Sequence, residues 1–508
     1  MEEKIDDICR LFGILSIDVN RRHTLKEILN LVGSVRKETL QRVEVEIQLP
    51  RLFDCLNTSD EEEIKLSCAI LDKILPDMNP EIVFTRCLPC LQRAQNHPMN
   101  EVRSIVLKVL LKAVEFESLL PVICEQGLLA NSVMCLFTND LHLTQLASEF
   151  IIKMSKNPTT LKTVLSGQPL SYMQTSKAMN SEFSFRVYEV IVGIALTSEE
   201  GFMECVMCGL LPELITEVKQ EDPLMQLNAL DLIGKLAETS YGFKYLETEG
   251  VIIYICSKFT QMYTDPSLSL LLPGYIKFCG TLAHAHPIEM ATLHPDIIHF
   301  MVGTIVTDAT DSVSLIVLLE TLAYIASSPE GKKILHSLGD AIPRLMANFE
   351  EYMRYLPSEL KERAMSAFGG ILRLQPEEQT EELLHVTNHW FSRIHATPLD
   401  LIIAYCYQPF PDVQLAGLKL IQVIAEQPWG VQEINKQIGL MEFLLDRKRA
   451  SSKESRETKY EIIRSLLHSH IAESVFSPNI LSQMREYVNR GPFYIEASTE
   501  VAVEEKAN

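Results

Sequence analysis

Two pairs of cysteines have a spacing that proteins use for redox chemistry or for metal binding. They are Cys87 with Cys90 and Cys205 with Cys208. A structural zinc site would need two such pairs about 15–20 residues apart, and a thioredoxin-like site would need a βαβ context. The two pairs are more than a hundred residues apart and lie in helical, apolar segments. We therefore predict buried thiols, with a thiol oxidoreductase that uses Cys87 and Cys90 as the enzymatic alternative.

Other motifs for chemistry are missing from the sequence. The densest histidine pair, His284 with His286, has no carboxylate or cysteine at metal-ligand spacing, so it indicates a turn between two helices and no metal site. No Gly-rich phosphate loop, GxGxxG, HExxH or nucleophile elbow occurs. We predict that the protein has no catalytic residues and no cofactor, and that it is not an enzyme.

Charge and composition narrow the classes of partner. The chain has 508 residues, of which 47% are hydrophobic, and its net charge is −21. Such a chain repels nucleic acid and anionic membranes, and its length predicts several domains or a repeat array. The sequence has no run of 18 apolar residues and no signal peptide, and it contains twelve cysteines. We therefore predict a protein of the cytoplasm and nucleus with reduced thiols. We predict no membrane partner and no nucleic-acid partner.

Glycines recur in pairs and mark an internal repeat. Pairs eight or nine residues apart are Gly201 with Gly209, Gly242 with Gly250, Gly331 with Gly339, and Gly430 with Gly439. The second glycine recurs at positions 127, 167, 209 and 250, in steps of 40, 42 and 41 residues. A period near 42 with apolar positions at helical spacing predicts three helices per unit. We therefore predict an all-α fold, an armadillo/HEAT-like α-solenoid superhelix with the second glycines in tight turns.

The repeat divides the chain into five predicted regions. These are N-terminal helical capping repeats at 1–99, armadillo/HEAT-like repeats at 100–446, a basic polar loop at 447–459, C-terminal capping helices at 460–490 and a flexible tail at 491–508. The basic loop has six cations against two carboxylates. A nuclear localisation signal is the alternative interpretation of that cluster.

A solenoid offers a long concave face built from the third helix of each unit, and polar side chains there are candidates for partner binding. The candidates are Glu213, Glu217, Lys258, His299, Arg344, Asn348 and Asn388. Three large aromatic residues, Trp390, Phe410 and Trp429, could anchor an interface, although packing in the core or between repeats is the expected role.

Seven short segments, in a fixed order from residue 185 to residue 494, are similar to a known family. They are Phe185–Glu189, Leu272–Phe278, Gln375–Thr380, Asn388–Phe391, Gln408–Pro411, Ala425–Trp429 and Gly491–Tyr494. Together they resemble the proteasome non-ATPase regulatory subunit 5 family. The resemblance covers the chain from about residue 180 to its end, and the N-terminal third more loosely.

The resemblance implies a fold and a function. Members of that family are armadillo/HEAT-like solenoids that act as chaperones for assembly of the base of the 19S regulatory particle. The implied partner is an AAA-ATPase, regulatory subunit 7, bound through its C-terminal region. Regulatory subunit 4 and non-ATPase regulatory subunit 2 would belong to the same intermediate. The chaperone leaves before the mature proteasome forms, and we expect it to be a monomer when free.

A binding module of another kind is the main alternative. An importin-α-like transport adaptor would use repeated Trp and Asn residues along its third helices to bind a basic peptide. Only two tryptophans occur, Trp390 and Trp429, and they stand at different places in their repeats. A general scaffold is the less specific alternative.

Overall fold

Short helices joined by tight turns make up the chain wherever its structure is described. The computed structural model describes residues 2–15, 20–34, 47–262, 270–306, 311–450 and 452–494, and no strand occurs among them. The predicted all-α class is therefore confirmed. The chain divides into two compact units, residues 1–236 and 237–508.

The first unit begins with less regular helices and continues with three-helix repeats. Its helices are α1 (Glu2–Ile14), α2 (Arg21–Ser34), α3 (Leu49–Asp54), α4 (Glu61–Ile74), α5 (Pro80–Gln95), α6 (Asn100–Ala113), α7 (Leu120–Glu125), α8 (Leu128–Met134), α9 (Leu141–Ser155), α10 (Pro158–Val164), α11 (Gly167–Met179), α12 (Ser181–Ala195), α13 (Glu199–Met207), α14 (Leu210–Glu217) and α15 (Pro223–Ala237). The last of these ends at the boundary between the units.

The second unit continues the same pattern of three helices per repeat. Its helices are α16 (Ser240–Thr248), α17 (Val251–Met262), α18 (Leu272–Ala285), α19 (Pro287–Leu293), α20 (Pro295–Val306), α21 (Ser312–Ile325), α22 (Pro329–Ser337), α23 (Ala341–Ala347), α24 (Phe349–Tyr355), α25 (Ser358–Leu372), α26 (Glu381–Ser392), α27 (Pro398–Cys406), α28 (Pro411–Ala425), α29 (Pro428–Lys436), α30 (Leu440–Leu445), α31 (Lys453–His468), α32 (Ala472–Val475) and α33 (Pro478–Arg490).

The first helices of successive repeats pack side by side and form the core of each unit. In the first unit this row includes α4, α6, α9 and α12, and in the second it includes α18, α21, α25, α28 and α31. A helix with neighbours on both sides must be apolar over most of its circumference. The buried residues of α28 show this arrangement: Val413, Ala416, Leu418, Leu420, Ile421, Val423 and Ile424. Each unit is therefore a stack of armadillo/HEAT-like repeats.

The second glycine of each pair lies immediately before the last helix of its repeat. Positive φ angles occur at Gly127, Gly209, Gly250, Gly339 and Gly439, as the repeat predicted. At Gly250 the angle is +66°, a left-handed conformation that residues with a side chain rarely adopt. The segment after it, Val251–Met262, is a helix, as predicted.

Two repeats of the second unit have no glycine pair. One comprises α18, α19 and α20, where Pro287 and Pro295 each begin a helix. Proline suits this position because its fixed φ is helical and its missing N–H would be unsatisfied there anyway. The other comprises α25, α26 and α27. The long intervals between glycines therefore each contain two repeats, as predicted.

The prediction of a basic polar loop at 447–459 is wrong. Residues Arg447–Arg449 form a short 3-10 helix, and α31 begins at Lys453. The Ser452 hydroxyl caps α31 by accepting a hydrogen bond from the Ser455 N–H at 3.0 Å. Lys459 is fully buried, and its ammonium donates to the carbonyl oxygens of Phe443 and Asp446 at 2.7 and 3.1 Å, which offsets the cost of burying its charge. At least one of the cations that indicated a solvated loop, Lys459, is therefore buried where α31 packs.

The last repeat comprises α31, α32 and α33, so the C-terminal helices begin seven residues before the predicted boundary at 460. Most of the predicted flexible tail, residues 495–508, lies outside the described residues. Among the described helices, none alone has the length and hydropathy to cross a membrane, while two sharply bent helix pairs meet that test by length and composition only.

Candidate partner-binding surface

The last helices of two neighbouring repeats, α20 and α23, lie against each other in the second unit. They carry two of the predicted binding residues, His299 on α20 and Arg344 on α23, and both side chains are exposed. The structure therefore brings these two residues onto adjacent helices of one surface. Both are free of a salt-bridge partner among the described residues.

Three other predicted residues also lie on or at the end of a last helix, although each is half-buried. Asn348 follows α23, and its side-chain amide donates to the Tyr352 hydroxyl at 3.3 Å. Lys258 lies on α17 in the second unit, and Glu213 lies on α14 in the first unit. The predicted residues are therefore divided between the two units.

Glu217 is buried, so its predicted exposure to a partner is wrong. It lies on the same helical face as Leu210 and Leu214, and only 5% of its surface is exposed. The Tyr188 hydroxyl approaches its carboxylate at 3.5 Å. Burial, and then the nearby Glu217 charge, raises the pKa of Tyr188 above its ordinary value. Glu217 therefore belongs to a polar contact inside the first unit.

Asn388 is exposed, but it does not lie on a last helix. It belongs to α26, which is the middle helix of its repeat because α25 precedes it and α27 follows it. The helix α26 packs on α29, the middle helix of the next repeat, and also on α22 and α23 of the preceding one. The prediction was wrong because this repeat lacks the glycine pair that locates helices elsewhere. Contact with α23 nevertheless places Asn388 on the helix next to Arg344.

The two tryptophans are core residues, as expected. Trp390 is completely buried, and Trp429 is 8% exposed. Their burial argues against the importin-α-like alternative, whose peptide groove needs accessible tryptophans. Phe410 differs from the expectation, since 51% of its surface is exposed. It stands between two prolines and immediately before α28, where inward packing begins only at Val413.

A buried polar network fixes α26, the middle helix that carries Asn388. The Gln427 side-chain N–H donates to the carbonyl oxygen of Leu372 at 2.9 Å. Its amide oxygen accepts from Trp429 Nε1 at 3.0 Å and from the Thr387 hydroxyl at 2.7 Å. The network links α25, α26 and α29. Because buried polar groups are costly when unpaired, such a network specifies one arrangement of the helices.

Sequence reasoning missed a group of histidines beside Asn388. His385 and His389 lie one turn apart on α26, and the ring of His336 on α22 lies 6.4 Å from the ring of Trp390. Burial, and then the charge of Arg393, lowers the pKa of His389. His336 and His385 are about one repeat apart in the sequence, and equivalent helices of neighbouring repeats pack together. This spacing could have predicted the group.

The cysteines of the two Cys-x-x-Cys pairs are poorly suited to redox chemistry. Cys87, Cys90 and Cys205 are buried, as predicted, while Cys208 is only partly buried. Burial raises the pKa of Cys87 to about 12 and also raises the pKa values of Cys205 and Cys208. A reactive thiol needs a lowered pKa, so the thiol oxidoreductase alternative is disfavoured.

The histidine pair at 284–286 lies at a helix end, as predicted. His284 is near the end of α18 and stacks on Tyr324, with ring centroids 4.0 Å apart. His286 Nε2 lies 2.8 Å from the carbonyl oxygen of Ala237. In the described part of the chain, no group of three or more His, Cys, Asp or Glu side chains is arranged to hold a metal ion.

These helices and their surface define a helical-repeat protein of the armadillo/HEAT class. The chain belongs to the family described as proteasome non-ATPase 26S subunit, whose profile matches residues 15–508. The resemblance inferred from the seven short segments is thereby confirmed.

Relatives are found among curated animal proteins. The chain is 30% identical over 483 residues to the 26S proteasome non-ATPase regulatory subunit 5 of Homo sapiens, with 94% of this chain and 95% of the relative covered. It is 23% identical over 495 residues to the protein of the same name from Drosophila melanogaster, with 92% of each covered.

Solved structures with similarity to the chain include engineered and designed proteins. One engineered protein shows 14% identity and a TM-score of 0.33, covering 90% of this chain and 98% of its own. A designed armadillo repeat protein in complex with the peptide (KR)4 shows 17% identity and a TM-score of 0.34, covering 45% of this chain and 98% of its own.

Proposed function

We propose that this chain is an assembly chaperone for the base of the 19S regulatory particle of the 26S proteasome. Family membership over residues 15–508 is the observation that carries the proposal. In this role the chain binds the C-terminal region of an AAA-ATPase, regulatory subunit 7, within an intermediate that also contains regulatory subunit 4 and non-ATPase regulatory subunit 2. It leaves that intermediate before the mature proteasome forms.

The chemistry of the chain supports a role in binding. The helices pack through buried apolar side chains, so their surface is already ordered before a partner binds. This preorganisation lowers the entropic cost of association. The exposed residues His299, Arg344 and Asn388 lie on the successive neighbouring helices α20, α23 and α26. We propose that this surface contacts the ATPase, together with Asn348 at the end of α23 and Lys258 on α17.

The partner must also be released. Dissociation constants from micromolar to nanomolar correspond to about −8 to −12 kcal/mol, which allows both capture and release. Interfaces of this kind bury about 1,600 Å² in total. We further propose that the chain is a monomer when free and acts in the cytoplasm and the nucleus, where reduced cysteines are stable.

Co-purification from cells tests the proposed function. A tagged chain should recover base ATPases, including regulatory subunit 7, with little of the 20S core. Recovery of intact 26S particles in equal amounts would contradict the chaperone role, because a chaperone is absent from the finished assembly.

Charge reversal tests the proposed surface. We expect Arg344→Glu to reduce recovery of the ATPase at least tenfold. Lys277→Glu is the matched control, since Lys277 is also exposed but lies on α18, a first helix. Equal losses for the two variants would show that net charge, rather than this surface, governs binding.

A further inference from the structure

A cavity of about 350 Å³ lies between helices α4, α5 and α6 of the first unit. Its apolar lining comes from Leu71, Leu75, Met78, Val83, Ile105 and Val109. No more than 6% of the surface of each of these residues is exposed. The cavity is far from the predicted binding residues in sequence, and the proposed function does not use it.

Five charged side chains also line the cavity. Asp72 pairs with Lys108 at 2.8 Å, and Glu115 pairs with Lys153 at 2.8 Å. The fifth is Lys112. Three ammonium groups therefore face two carboxylates, which leaves one positive charge beside an apolar cavity. This local excess is notable in a chain whose net charge is −21.

The ammonium of Lys112 is held by neutral acceptors. It donates to the carbonyl oxygens of Pro76 and Met78 at 2.9 and 2.6 Å. These oxygens belong to the turn that follows α4, so the ammonium is positioned at the edge of the cavity. A lysine ammonium has three N–H donors, and the two carbonyl groups account for two of them. The geometry thus fixes a cation where a ligand could meet it.

We propose that this cavity binds a ligand that has an apolar body and a terminal carboxylate. The body replaces water against the apolar walls, and the carboxylate accepts a charge-assisted hydrogen bond from Lys112. Lys108 on the same face of α6 adds favourable charge. Its pair with Asp72 is substantially exposed, and exposed pairs contribute little, so it is available to a new anion.

Two sources share this ligand chemistry. One is a small aliphatic carboxylate, and the other is the free C-terminus of a peptide that ends in a bulky apolar residue. Both present one carboxylate at the end of an apolar group.

Calorimetric titration of the full chain tests the site with defined probes. The probes are octanoate, octanol, a hexapeptide that ends in phenylalanine and leucine with a free carboxylate, and the same peptide as its C-terminal amide. We expect octanoate to bind at least fivefold more tightly than octanol, or the acid peptide to exceed its amide by the same factor. The first result identifies a small carboxylate and the second a chain terminus.

Three variants assign the binding to the cavity. Lys112→Gln should weaken the favoured probe at least fivefold, and Val109→Phe should abolish binding by filling the space. Lys162→Gln is the matched control, since Lys162 is an exposed lysine of the same unit that does not line the cavity. It should bind as the wild type does. Circular dichroism of each variant checks that helical structure is retained.

Several results would overturn the proposal. Failure of all four probes to bind would remove the site. Equal binding of octanoate and octanol, together with equal binding of the acid and amide peptides, would show that no carboxylate is recognised. Unchanged binding by both Lys112→Gln and Val109→Phe would place the ligand elsewhere. None of these results bears on recovery of the ATPase from cells, so the two proposals fail separately.

Discussion

The two turns within a repeat both use glycine, for opposite physical reasons. In the turn that begins the middle helix, Gly430 is buried, and a β-carbon there would overlap the carbonyl oxygen of Ile424 at the end of the preceding helix. In the turn that begins the last helix, Gly439 has open space around it but a φ of +78°. The first turn therefore lacks room, whereas the second requires a left-handed backbone.

Another repeat shows the same difference. A β-carbon on Gly331 would overlap the carbonyl of Ile325, while Gly339 has a φ of +68° and no atom within 4 Å of its ideal β-carbon. Crowding in the first turn is a property of the neighbouring helix, and strain in the second is a property of the residue itself. Substitutions in the two turns should therefore differ in size and in dependence on side-chain type.

The largest effect is expected in the crowded turn. Gly430→Ala should lower the free energy of unfolding by roughly 3 kcal/mol, because backbone atoms must move to admit the methyl group. Chemical denaturation followed by circular dichroism measures this loss. The control is Gly303→Ala, where helical backbone and open space allow a neutral or stabilising effect. Equal stability of the two variants would show that the first turn has room after all.

The crowded turn also buries an ammonium group. Lys332 follows Gly331, is 1% exposed and donates to the carbonyl oxygen of Ala326. Burial lowers its pKa from 10.5 to about 8. Between these two values the native state has lost a proton that the unfolded state keeps, so unfolding takes up a proton. The free energy of unfolding therefore gains a contribution that rises with pH in this window.

Replacing Lys332 should remove that contribution. Between pH 8 and pH 10.5, the free energy of unfolding of the wild type should rise by on the order of 2–3 kcal/mol relative to that of Lys332→Met. Denaturation curves across this range provide the measurement. Lys333→Met is the control, because Lys333 is exposed and pairs with Glu382 at 3.2 Å; it should keep the slope of the wild type. If the free energies of unfolding of the wild type and of Lys332→Met changed in parallel with pH, burial would not lower the pKa of Lys332.

A smaller effect is expected in the open turn. Gly250→Val should cost about 1–2 kcal/mol, since a β-branched residue adopts positive φ only with strain. Gly250→Asn should cost less, because asparagine tolerates that conformation. Thermal melts of both variants measure the difference. An equal loss for Val and Asn would indicate that space rather than backbone conformation limits this turn.

The smallest effect concerns the cap of the crowded turn. The Ser328 hydroxyl accepts a hydrogen bond from the Gly331 N–H at 3.1 Å. Ser328→Ala should therefore cost about 1 kcal/mol. The corresponding residue Gln427 makes no such cap and instead bonds to Leu372, Thr387 and Trp429. Ser328→Thr should restore most of the stability, and a melt of Ser328→Ala unchanged from the wild type would show that the cap is dispensable.

Much of the fold could be predicted because the repeat is recorded in local chemistry. Glycine at a left-handed turn and apolar residues at helical spacing are properties of a short segment, so Gly250 and Val251–Met262 were assigned correctly. The candidate surface was harder to predict. Glu217 proved buried, and the Tyr188 hydroxyl, 29 residues away in sequence, lies 3.5 Å from its carboxylate. Asn388 was placed on the wrong helix because its repeat lacks a glycine pair.

The amino-acid sequence by itself determined the helical class, the period of the repeat, the turns with positive φ and the family. The helical class and the turns depend on residues that are neighbours in the chain, and the period and the family depend on the order and spacing of short segments. Only the tertiary structure decided which polar groups are buried. The ammonium groups of Lys332 and Lys459 bond to backbone carbonyls, and Lys112 stands at the edge of a cavity. Whether a charged side chain faces solvent or a carbonyl oxygen depends on which helix end packs against it, and that contact forms only when the helices stack.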